Sequence, residues 1–128
     1  MQTAVEILVA LSFFIVGLSH VAQPRAWAEF FIRLRHKGTV GILQLGLLQL
    51  PFALLVVSFH NVWHGLPLLV TLIGWSQLLK GVLYLTVPRL GLKMLGHISL
   101  EKAGRFVWAG LFSICLAALI AWSVASKV

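Results

Sequence analysis

Lys80 is the residue of this 128-residue chain best placed to do chemistry. It lies inside a long apolar run, with Gln77 three residues before it and Tyr84 four residues after it. On a helix these three share one face, and Gln44 falls at a similar depth on the preceding apolar stretch. A lysine at mid-span costs about 2.5–3.5 kcal/mol on insertion scales, so an intramembrane lysine is a functional candidate, here one that lines a path for a solute. Two plainer readings stand beside it. The stem can snorkel, carrying the ammonium toward headgroups about 10 Å away. A Gln44–Gln77–Lys80–Tyr84 cluster can also join the second and third spans as polar glue, at about 0.6 kcal/mol per contact.

His60 and His64 are four residues apart, a spacing that can present two metal ligands on one helix face. They flank a turn that contains Asn61 and Gly65, with no acid or cysteine nearby. His20, His36 and His97 fall at the opposite ends of the spans, so no two histidines face each other at one depth as bis-histidine haem requires. His60 and His64 are therefore weak metal candidates, with an interfacial polar role favoured over ligation, and no cofactor is expected. Glu6 is the one acid within a span, about a turn from its outer end and too distant in depth from Lys80 to pair with it. The chain has no aspartate and three glutamates, so no carboxylate pair is available for acid–base work. No serine sits in a G-x-S-x-G frame, no Gly-rich phosphate loop occurs, and Cys115 has no charged neighbour to activate it. The expectation is a protein without catalytic residues, hence not an enzyme.

The elements that must position these groups follow from composition. Sixty per cent of the residues are apolar and 10% are charged, with a mean hydropathy of +1.00. A soluble domain carries roughly 25% charged residues, and disorder requires low hydrophobicity; both classes are excluded. Runs without Asp, Glu, Lys or Arg cover residues 7–24, 38–79 and 106–126. The middle run as one helix would extend about 63 Å, twice the roughly 30 Å hydrocarbon core. It must be two helices, and Asn61, Gly65 and Pro67 mark the turn between them. The chain is thus an all-α integral membrane four-helix bundle in a single domain, with spans at about 3–21, 38–59, 66–87 and 104–126. Pro51 is expected to kink the second span or mark a close contact. Residues 1–6 carry a negative charge and no positive one, and no small-residue cleavage site precedes Gln23-Pro24. The opening run therefore reads as a retained helix rather than a signal peptide.

Ten Lys and Arg give a net charge of +7. In a soluble protein this would suggest nucleic acid; around apolar spans it marks topology and anionic lipid. Arg25, Arg33, Arg35 and Lys37 lie in the first connector, and Arg89, Lys93, Lys102 and Arg105 in or beside the third. The second connector has none. The positive-inside rule places loops 22–37 and 88–103 in the cytoplasm and both termini outside. Trp27 and Trp108 then fall at the inner interface, Trp63 and Trp122 at the outer one. After Pro24, Trp27, Phe30, Phe31 and Leu34 follow i, i+3, i+4, i+7 spacing, the pattern of an amphipathic helix lying in the interface plane; the alternative is an inner loop bearing topology charges. Arg25, Trp27, Arg33, Arg35, Lys37, Arg89 and Lys93 are the expected interfacial or lipid contacts. Leu90, Met94 and Leu95 form a weaker second stretch.

The halves echo each other. Gly17 to Arg25 reads G-L-S-H-V-A-Q-P-R and Gly81 to Arg89 reads G-V-L-Y-L-T-V-P-R, 64 residues apart. Each half would hold two spans, giving parallel helix-pair repeats; the alternative is chance and the common use of proline to end helices. Gly41, Gly46, Gly74, Gly81, Ala117 and Ala121 allow close helix approach, within the chain or in an oligomer. The strings His60-Asn61-Val62-Trp63, Thr71-Leu72-Ile73-Gly74-Trp75, Leu78-Leu79-Lys80-Gly81, Tyr84-Leu85 and Pro88 resemble a family of small bacterial four-helix membrane proteins with no assigned activity, over about 30 residues. The resemblance implies a bacterial cytoplasmic (inner) membrane protein and supplies no substrate or cofactor. A small multidrug exporter is similar in size only: its coupling carboxylate lies deeper in the first helix, where this chain has Phe13, Phe14 and Ile15. The expected function is non-enzymatic, through lipid or protein contacts as a homo-oligomer or subunit of a larger membrane complex; the alternative is a small oligomeric transporter or channel.

Overall fold

The computed structural model describes residues 2–127 and is all-helical over them. Its six helices are α1 (Gln2–Ala22), α2 (Pro24–His36), α3 (Thr39–Phe59), α4 (Leu68–Thr86), α5 (Pro88–Leu95) and α6 (Arg105–Ala125). Four of them, α1, α3, α4 and α6, are long and apolar enough to cross a membrane. They lie within two residues of the expected spans. The largest difference is at α4, which starts at Leu68 because Gly65 takes a positive φ of 66° and Pro67 caps the helix. Pro51 sits inside α3 without ending it; in a spanning helix neighbouring groups can satisfy the freed carbonyl.

The two Pro-Arg steps have one local cause and one local geometry. Proline fixes φ near −65° and suits the first turn of a new helix. The residue before it must leave the helical region. Gln23 does so at φ −136°, ψ 58° and Val87 at φ −131°, ψ 68°. Each break ends a span and starts a short helix, α2 or α5. The stretch after Pro24 is therefore a helix, as its periodicity requires, and the weaker stretch after Pro88 contains a shorter one.

Packing joins α1 chiefly to α6 and α3 chiefly to α4, while α2 and α5 lie across the ends of the spans and touch each other. Two cores form. Val5, Val9 and Ala10 meet Val56, Val70 and Ile120 near the α3–α4 turn. Leu34, Ile42, Leu45, Tyr84 and Leu95 meet at the opposite end, under α2 and α5. The outward faces remain apolar: Ile15, Leu48, Leu79 and Phe112 are all more than 60% exposed. So much apolar surface is unsustainable in water and ordinary against lipid chains, which makes this a multi-pass membrane protein.

Candidate functional site

The densest polar structure lies at the α3–α4 turn. α3 ends at Phe59, and His60 follows in extended conformation, φ −141° and ψ 105°. That turns the His60 ring inward, where it is fully buried. Its Nδ1 lies 3.0 Å from the Thr71 hydroxyl of α4. The same hydroxyl donates to the Val62 carbonyl at 2.8 Å and accepts the Val62 N–H at 3.0 Å. A hydroxyl has one proton to give. Since Thr71 gives it to Val62, His60 Nδ1 must be the donor to Thr71. Beside this, Asn61 donates to the Val57 carbonyl at 2.6 Å and accepts the Trp75 indole N–H at 3.1 Å. His60, Asn61 and Val62 are thus tied to Thr71 and Trp75, which gives the H-N-V-W and T-L-I-G-W strings a shared structural purpose.

The far side of the His60 ring meets an acid that sequence spacing missed. Nε2 lies 3.5 Å from Glu6 Oε1 of α1, at charge-pair distance but longer than a formed hydrogen bond, and Nε2 has no hydrogen-bond partner among the described residues. Glu6 is 1% exposed, and both its oxygens accept from Lys127 Nζ at 2.7 Å. One sequence expectation is corrected here. An acid does stand beside His60, brought by a helix more than fifty residues away. His64 is exposed and off the helix, so the two histidines flank the turn and do not share a helical face. No group of three potential metal ligands occurs among the described residues.

A second polar feature lies at mid-span. Ser12, Phe13 and Val16 of α1, Leu48, Gln49 and Phe52 of α3, Gln77 of α4 and Ser113 of α6 line an open cleft of about 330 Å³. Ser113 donates to the Phe13 carbonyl at 2.8 Å. Gln49 Oε1 is buried and has no partner among the described residues. A buried amide oxygen of this kind costs about 1–3 kcal/mol if it stays unmade.

The expected Gln44–Gln77–Lys80–Tyr84 cluster is only partly brought together. Gln77 faces the cleft. Lys80 lies 5.9 Å from the centre of the Tyr84 ring, and Tyr84 is buried in the second core. Gln44 is elsewhere, exposed at the start of α3, where it accepts from Lys37 at 3.4 Å. Gln49 occupies the inward place, five residues and about 140° around the helix from Gln44. It shares a face at i, i+3/i+4 spacing with Leu45, Gly46, Ala53 and Val56, which are all buried.

The expected lipid contacts also divide. Arg25, Arg33, Lys37, Arg89 and Lys93 are exposed, with Arg25 3.7 Å from Glu29. Trp27 instead packs inward: it stacks on His20 at 4.2 Å and donates to Ser19 at 2.9 Å. Arg35 is committed to the protein, donating to the Leu95 and Ile98 carbonyls at 3.0 and 2.8 Å. Compared with known families, characterised proteins and solved structures, the chain shows no match.

Proposed function

We propose that this is a non-enzymatic, multi-pass membrane protein that holds a small bilayer-dissolved molecule in the mid-span cleft. The carrying observation is the unpartnered Gln49 Oε1 at a cleft whose apolar wall is formed by Phe13, Val16, Leu48 and Phe52, with Ser12, Gln77 and Ser113 as its other polar groups. An amide acceptor in an apolar wall selects an apolar ligand with one hydroxyl or amide donor. Val16 and Leu48 are exposed on the apolar surface, so the ligand enters sideways from the bilayer. Photolabelling in lipid nanodiscs with a diazirine-bearing fatty alcohol tests this. The label should map to residues around Phe52, and Gln49→Leu should reduce it several-fold. Labelling spread evenly over the spans, or unchanged by Gln49→Leu, defeats the reading.

In this reading the chain is a four-helix bundle of two parallel repeats in a bacterial cytoplasmic membrane, with loops 22–37 and 88–103 toward the cytosol and anionic lipid against their exposed cations. The repeat draws support from the matching breaks at Gln23 and Val87. A homo-oligomer or larger complex is the setting, since one protomer has little interior. The second reading, a solute path in an oligomer, rests on Lys80: it is partly buried and has no acidic partner within 4 Å among the described residues. Loss of flux with unchanged assembly in Lys80→Met would favour it.

A further inference from the structure

The Glu6–His60 contact is separate from the cleft and presents an unresolved hydrogen-bond problem. Thr71 fixes His60 Nδ1 as a donor. In a neutral imidazole the other nitrogen, Nε2, then carries a lone pair. That lone pair faces Glu6 Oε1 at 3.5 Å, with both groups buried. An ionised carboxylate is also an acceptor without a proton. Two acceptors pointed at each other away from water repel, and no donor lies between them. A single added proton turns the same geometry into a donor–acceptor pair.

We propose that Glu6 and His60 form a proton-binding site, in which one exchangeable proton sits between the carboxylate and Nε2 and bridges α1 to the end of α3. The proton is delivered by hydronium, whose O–H bond breaks to leave water; it forms one N–H or O–H bond on the pair, breaks none within the protein, and adds one positive charge to the cluster. It belongs to the pair rather than to either residue. A groove lined by Asn61, Trp63, His64, Pro67 and Lys127 opens beside the site and admits the hydronium. Among the described residues, the charged and titratable groups that face the pair are few. α1 contributes Glu6, the segment after α6 contributes Lys127 at 2.7 Å from the carboxylate, α4 contributes only the Thr71 hydroxyl, and His64 stands exposed in the groove. Lys127 opposes the proton and Glu6 attracts it, so removing each must act with opposite sign.

The test is nitrogen-15 NMR of the histidine-labelled full chain in lipid nanodiscs, titrated with acid. His60 should keep a proton on Nδ1 throughout and gain one on Nε2 as pH falls. Glu6→Gln should weaken proton binding by about tenfold or more, moving the midpoint about one unit or more to lower pH. Lys127→Met should strengthen it and move the midpoint to higher pH. Should Glu6→Gln fail to fold, the Lys127→Met shift and the wild-type proton positions still decide. A His60 whose single proton resides on Nε2, or a midpoint unmoved by Lys127→Met, overturns the proposal.

Discussion

Gly17 and Gly110 bring α1 and α6 into backbone contact: a Cβ on Gly17 would lie 2.8 Å from the Gly110 carbonyl oxygen. The α3–α4 crossing has its counterpart in Gly46 and Gly81, each 64 residues from one member of the first pair. There Gly46 meets Tyr84 and Leu85, as Gly110 meets His20 and Val21. Lipid offers helices no hydrophobic reason to associate, so close small-residue contact carries much of the packing.

Alanine substitutions should therefore rank by what the new methyl meets. Gly110→Ala collides with the Gly17 carbonyl and with His20 Cβ, and a loss of about 1–3 kcal/mol is expected for overpacking that cannot relax. Gly46→Ala meets side chains at 3.0–3.2 Å and should lose less. Gly81→Ala, with nothing nearer than 3.8 Å, should stay within about 0.5 kcal/mol of wild type. Reversible unfolding in mixed detergent micelles gives the order.

Thr71→Val keeps shape and removes the hydroxyl that serves three partners. It strands the His60 Nδ1 proton and the Val62 N–H, and a loss of about 1–3 kcal/mol is expected. Trp75→Phe removes one exposed bond to Asn61 and should cost about 1 kcal/mol or less through that bond. Equal losses in the same unfolding assay would contradict the assigned network.

Arg35→Met should loosen the connector after α5. The guanidinium holds the Leu95 and Ile98 carbonyls, and residues 96–104 have only turn hydrogen bonds beyond these. Amide exchange across that connector should accelerate at least several-fold while α3 and α4 stay protected. Arg33→Met, at an exposed position, should leave exchange unchanged.

Lys80→Met should not destabilise the protein. Among the described residues no carboxylate partners Lys80, and a cation within a span is itself unfavourable. Thermal unfolding in nanodiscs should show equal or higher stability. A marked loss would reveal a structural contact for the ammonium.

Much of the fold was legible because its signals are local. The charge-free runs, the Asn61–Gly65–Pro67 turn and the two Pro-Arg breaks each act within a few residues. The candidate sites were legible only in part. In α3 apolar residues wrap the whole circumference, so nothing in the pattern said which face turns inward; Gln44 and Gln49 look alike in sequence, and packing separates them. Trp27 and Arg35 resemble interfacial residues by type, yet Ser19, His20 and the Leu95 and Ile98 carbonyls claim them.

The amino-acid order alone determined four apolar spans and their breaks, since a backbone surrounded by hydrocarbon must close its own hydrogen bonds and proline cannot continue a helix. Tertiary structure alone decided the pairing of α1 with α6 and the meeting of Glu6 with His60. Those depend on which small residues let two helices approach and on what lies across the gap, and neither is written in the spacing of any one segment.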